Sequence, residues 1–205
     1  MTSVGAGTES DEAQRIKGNI KNTKIIFEDV AALLETVGKE MERSGWNPES
    51  NTAVTGVSGV IGQPKLWLPS RMFRFFKNGR YPSLLAFVSV ILDDEATGEY
   101  TISEPMATAG VLDFGQGSHA VEDRNWEYWY SEWYGYSSWY GYDRGKDEWP
   151  TIQMGPADDW KAKWKEAGAR PVSFETFKCF GVPLVEVSSD TETRSKIVAP
   201  LLALI

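Results

Sequence analysis

The sequence predicts an α+β fold: a single domain with a mostly antiparallel sheet of about five strands, N-terminal and C-terminal helices packed on it, and a Trp/Tyr-rich excursion. Three observations predict it. Phe27, Val30, Leu34, Val37 and Met41 recur at alternating steps of three and four, the stripe of an amphipathic helix that needs something to cover. The run "LLAFVSVIL" is apolar on both of its alternating faces, as in a central strand covered on both sides. Strand-like segments then follow one another without helices between them, which favours antiparallel pairing with the helices gathered on one face.

In chain order, residues 1–22 are expected as a flexible lead-in, mobile or a loosely attached helix, and residues 23–205 as the single domain, with an aromatic-rich insertion at 122–150. The helix sharpens from Ile25 and closes at Gly45, where a glycine C-cap ends the charged turn "KEMERSG". "TAVTGVSGVIGQPKLWLP" mixes β-branched residues with glycine and proline, so a short strand and a loop are expected there. "RMFRFFKNG" is read as a strand stopped by an Asn-Gly turn, because five bulky residues before a turn suit a sheet better than one helical turn.

"EYTISEPMATAGVLDFG" reads as two strand segments broken near Pro105 and closed by Gly115. "ADDWKAKWKEAGARP" carries an acidic cap, Trp160 and Trp164 four apart, and a Gly168 stop: a short helix. "SFETFKCFGVPLVEVSS" is a strand bent at Gly181 and Pro183. Ser189 and Glu192 stand at capping-box spacing ahead of a closing helix kinked near Pro200. The core is predicted on Phe27, Val30, Leu34, Val37, Phe87, Val88, Val90 and Ile91, since the one clear helical stripe and the doubly apolar strand must cover one another.

Charge and composition narrow the function classes. Twenty-one basic against 29 acidic side chains give a formal net charge of −8, which disfavours nonspecific binding to nucleic acid or to anionic membranes. No basic, apolar leader opens the chain, and "SLLAFVSVIL" is far shorter than the roughly 20 residues that cross a bilayer. With a single cysteine, Cys179, an intramolecular disulfide is excluded. A reducing, cytoplasmic setting is the natural expectation.

Catalytic chemistry leaves few marks. His119 is the only histidine, so it and Cys179 read as a loop histidine and a core cysteine rather than a nucleophile pair. Asp93, Asp94 and Glu95 follow the apolar strand, where oxygen ligands could hold a divalent metal; the competing reading is an acidic hairpin turn, and it is the simpler one. No phosphate-binding glycine loop occurs in the strand-to-helix context it needs. No cofactor is implied. "LPSRMFRFFKNG" resembles the Leu-Pro, aromatic, Asn-Gly stretch of the SUKH immunity-protein superfamily; the likeness spans those twelve residues, the chain downstream does not follow the pattern, and no site transfers with it.

The most informative segment is "WEYWYSEWYGYSSWYGYDRGKDEW", Trp126 to Trp149, with five tryptophans and six tyrosines. Glycines, serines and carboxylates interleave these rings, so they cannot all be core, although part of them could form a structural lid over the sheet. "EWYGYS" and "SWYGYD" form a near-repeat. Single-stranded nucleic acid also stacks on rings but wants a basic groove; from Glu122 to Trp149 seven acids face three bases. Aromatic plus acidic fits a basic partner protein, with Trp129, Tyr130, Trp133, Tyr134, Trp139 and Tyr140 as the binding surface and Glu127, Glu132 and Asp143 as its rim. The sequence thus predicts a noncatalytic cytosolic interaction module of the inhibitor, immunity or adaptor type. The alternatives are a metal-dependent hydrolase built on Asp93, Asp94 and Glu95 under an aromatic lid, or a binder of a sugar or an organic cation.

Overall fold

In the computed structural model, residues 6–49, 59–62, 68–69, 71–92, 104–115, 152–154 and 176–205 are described. The chain opens with one long helix, α1 (Ala6–Arg43), and continues through β1 (Asn47–Pro48), β2 (Arg71–Lys77), β3 (Leu84–Ile91), β4 (Met106–Asp113), β5 (Ile152–Met154) and β6 (Thr176–Pro183). A 3-10 turn (Leu184–Glu186) leads into the closing helix, made of α2 (Asp190–Thr193), a π turn (Arg194–Val198) and α3 (Ala199–Ala203). The strands form one antiparallel sheet in the order β1-β2-β3-β4-β6-β5. This is the predicted α+β architecture, with the sheet extended at its edges by the two-residue β1 and the three-residue β5.

α1 is continuous through residue 22, so the first part of the chain takes the helical alternative from Ala6 onward. Its C-terminal end is a Schellman cap. Gly45 adopts φ 83°, its N–H donates to Glu42 O at 2.9 Å, and Trp46 N–H donates to Met41 O at 2.9 Å. The reversal buries Trp46, stacks it on Tyr81 with centroids 6.1 Å apart, and swings Asn47–Pro48 onto β2 opposite Lys77 and Phe76.

β2 and β3 meet through Asn78–Ser83. Asn78 Oδ1 accepts from Arg80 N–H and its carbonyl from Tyr81 N–H, both at 2.9 Å, while Gly79 keeps a negative φ. The Asn-Gly pair therefore starts a six-residue Asx-type loop rather than a two-residue hairpin turn. The kink expected near Pro200 takes the form of the π turn: Ala199 N–H reaches back to Arg194 O, which widens the helix one residue ahead of the proline ring.

The register assigns each strand residue to a face. Met72, Phe76, Ala86, Val88, Val90, Ala107, Ala109, Val111 and Phe180 turn toward the helices and pack with Val30, Leu34, Val37 and Met41 of α1 and with Ile197 and Leu201 of the closing helix. Phe27 lies partly buried against this core. Phe87 and Ile91 differ from the sequence expectation. Both are buried, but their side chains point to the opposite face of β3, with Leu85, Phe75, Met106 and Cys179, and so belong to a second buried layer that α1 does not cover. The doubly apolar pattern of β3 already implied two covered faces, and only one can be the face of α1.

Two glycines sit where a side chain would have opposite effects. A Cβ at Gly38 would collide with Arg74 Nη1, because the guanidinium crosses α1 there to donate to Leu34 O at 3.4 Å. A Cβ at Gly18 meets nothing within 4 Å. Gly18→Ala is accordingly expected to stabilise the protein by about 0.5–1 kcal/mol through helix propensity alone. Chemical denaturation of the variant checks it, and an unchanged or lowered midpoint would contradict a regular helix at this position.

Candidate functional site

The rings and carboxylates singled out by sequence, Trp129, Tyr130, Trp133, Tyr134, Trp139, Tyr140, Glu127, Glu132 and Asp143, lie outside the described residues, as do His119 and the helix expected around Trp160. Asp93, Asp94 and Glu95 also lie outside them, immediately after Leu92 in the chain. Among the described residues, no three His, Cys, Asp or Glu side chains come together in a way that could hold a metal ion. No helix among them is long and apolar enough to cross a membrane.

The described residues do build a concave site where α1 meets the start of the closing helix. It is a groove of about 500 Å³. One wall is α1, through Ile26, Asp29, Val30 and Leu33; the end of the sheet contributes Leu92 and Pro105; the other wall is the connector from Leu184 to Asp190, with Thr193 behind it. Apolar side chains dominate the lining; Val30, Leu33 and Val187 are buried in its floor, and others stand open to solvent. Ile26 is 45% exposed and Val185 76% exposed.

Hydrogen bonds hold the second wall. Leu184 N–H donates to Pro105 O at 2.8 Å, tying the connector to the sheet. Ser189 is the N-cap of α2: Glu192 N–H donates to its Oγ at 3.3 Å. The capping box is present in a modified form, since the Glu192 carboxylate accepts from the hydroxyls of Ser189 at 2.9 Å and Ser188 at 3.0 Å. Those donors, Ser189 first, hold the Glu192 carboxyl below the usual carboxylate range. Thr36 Oγ1 on α1 donates to Asp190 Oδ1 at 2.8 Å, and Arg194 pairs with Glu40 at 2.9 Å, so the closing helix is pinned to α1 at two points.

Asp29 and Asp190 are the charged residues of the lining, and no base lines the groove among the described residues. An apolar floor with a carboxylate rim can seat an apolar group that carries, or sits beside, a positive charge. The two serine hydroxyls of the lining, Ser188 and Ser189, are engaged in the cap, and among the described residues no imidazole or thiol lines the groove. Cys179 is buried on the far face of the sheet, where loss of hydration pushes its thiol up to about 12, so it is an inert core residue rather than a nucleophile.

Sequence reasoning missed this groove because its lining comes from four separate segments. A signal existed in Ile26 and Leu33, seven residues apart beside the main stripe, and in the apolar cluster Leu184, Val185 and Val187 after Pro183. Comparison with known proteins finds no family model, no curated protein and no solved structure that matches the chain.

Proposed function

We propose that this chain is a noncatalytic cytoplasmic protein-interaction module that binds a basic partner protein through the acidic, aromatic segment 122–150. The observation that carries the reading is the composition of that segment: eleven Trp and Tyr rings interleaved with glycine, serine and an excess of carboxylates. Large rings supply interface area at low entropic cost, and the carboxylates steer a cationic surface toward them. The groove beside α1 supports the same sign of partner, because its rim carries Asp29 and Asp190. A contiguous exposed aromatic patch would itself mark an interaction surface.

The test is Trp133→Ala combined with Trp139→Ala. The double variant is expected to keep the wild-type melting profile and to lose about 2 kcal/mol or more of partner binding per true hot spot, read by titrating the partner recovered from host extract with wild-type bait. Neutralising Glu127, Glu132 and Asp143 together is expected chiefly to slow association and flatten its salt dependence. Unfolding of the double variant, with its rings shielded from aqueous quenchers in the wild type, would instead make the segment a structural lid.

One observation favours a second reading. The groove's volume lies in the range of small-molecule sites, and its apolar floor with two carboxylates suits an organic cation with an apolar body. Isothermal titration with alkylammonium compounds, on wild type and Asp29→Asn, separates this reading from the protein partner.

A further inference from the structure

The stripe that packs α1 onto the sheet does not stop where the sheet does. From Met41 back through Val37, Leu34, Val30 and Phe27 it serves the core, and at the same steps of three and four it continues through Thr23, Ile20 and Ile16. Those last two side chains are 54% and 48% exposed. The uncovered stretch is also a poor helix on its own account: Gly18, Asn19, Asn22 and Thr23 all rank low in helix propensity. An isolated helix of this length is marginal in water even with good formers, and most helical stability comes from packing an apolar face. Something must therefore cover Ile16 and Ile20.

Charge points to what covers it. Between Ala13 and Phe27 there are four bases, Arg15, Lys17, Lys21 and Lys24, and no acid, in a chain whose net charge is −8. The groove begins at Ile26, where the stripe leaves the core, and its rim is acidic. The basic, apolar stretch and the α1 wall of the acidic, apolar groove thus lie next to each other on one continuous helix, with centres about 15 Å apart at 1.5 Å per residue. The stretch cannot fold back into its own groove without breaking α1.

We propose that two copies of this chain associate through antiparallel pairing of α1, the Ile16–Lys24 stretch of each copy lying along the apolar, carboxylate-rimmed groove of the other. A two-fold axis near the middle of the paired stretch makes both contacts at once, since an isologous interface uses the same patch twice. Antiparallel pairing also lets each helix run on clear of its neighbour. In a parallel pair the second helix would continue into the sheet that already covers Val30 to Met41.

Sedimentation equilibrium on the full chain tests this. The wild type is expected to be a dimer of the 22.9 kDa chain, and Ile16→Glu with Ile20→Glu to weaken dimerisation about a hundredfold or more while leaving a folded monomer that still melts cooperatively, because both side chains are half exposed in the single chain. Val185→Glu, on the other copy's side of the contact and far from α1 in sequence, is expected to weaken it as well. Association should also loosen as salt is raised. A wild type that stays monomeric, or a dimer that survives both variants, overturns the proposal. So does a dimer that dissociates on Trp133→Ala and Trp139→Ala, since the contact would then belong to the aromatic segment; loss of basic-partner binding with the dimer intact leaves it standing.

Discussion

Val90→Asp is expected to abolish soluble folding. Val90 is fully buried on the helix-facing side of β3, with Met72 of β2 and Ala107 of β4 directly across from it. An aspartate there would sit in the apolar cluster, with apolar side chains directly across from it on both neighbouring strands, and burying an unpaired carboxylate costs several kcal/mol against a total stability of roughly 5–15 kcal/mol. The group would escape part of the cost by staying protonated, so its folded-state pKa would rise and the variant would lose most stability as pH climbs above the ordinary carboxylate range. Val88→Asp makes the informative comparison. Val88 is equally buried, but Arg74 stands opposite it in the register, so the new carboxylate gains a cross-strand cation and the loss should be smaller. Soluble yield and urea midpoints for the two variants check the order. A Val90→Asp protein that melts like wild type would remove β3 from the centre of the core.

These residues also mark how far the sequence could be read. β3 was legible because two interleaved apolar sets leave no solvent face, and the C-terminal half of α1 because a stripe at steps of three and four has no other economical reading. Pairing them was only half right: period two says that Phe87 and Val88 point apart, and it does not say which of them α1 covers. β1 and β5 were illegible, since two or three residues carry no periodicity and pair only because their neighbours bring them to a sheet edge. Residues 1–22 read as a mobile lead-in or a loosely attached helix because they are rich in Gly, Ser and Thr and then charged, although Ile16 and Ile20 continue the stripe that α1 carries. For the site, composition alone spoke. The aromatic segment announced itself, whereas the groove, assembled from four stretches of chain, is visible only once the fold has brought them together.

Gly110→Ala is expected to lower stability by about 2 kcal/mol or more, although the same change at Gly18 should raise it. Both glycines have ordinary negative φ, so neither difference is one of backbone strain. Alanine restricts the unfolded chain and favours the folded one by about 0.4–1 kcal/mol in either place. At Gly110 that gain is overwhelmed by contact. The position lies in β4 between Phe87 of β3 and Cys179 of β6, and the Phe87 ring lies over the space a side chain would fill. A Cβ there would come within 2.7 Å of Phe87 Cζ and 2.8 Å of Cys179 Cβ, and would collide with the Lys178 carbonyl oxygen. The ring could rotate away. The carbonyl belongs to the strand backbone of β6, so it can retreat only if the β4–β6 ladder deforms, and overpacking of this kind costs about 1–3 kcal/mol or more. At roughly 2–4 °C per kcal/mol for a chain of this size, the midpoint should fall by at least about 4 °C. Phe87→Leu in the Gly110→Ala background should recover only the ring's share of the loss, leaving the part due to Lys178. If Gly110→Ala melts at or above the wild-type temperature, Phe87 does not lie across β4, and the second buried layer of the sheet is packed differently from the way its register places it.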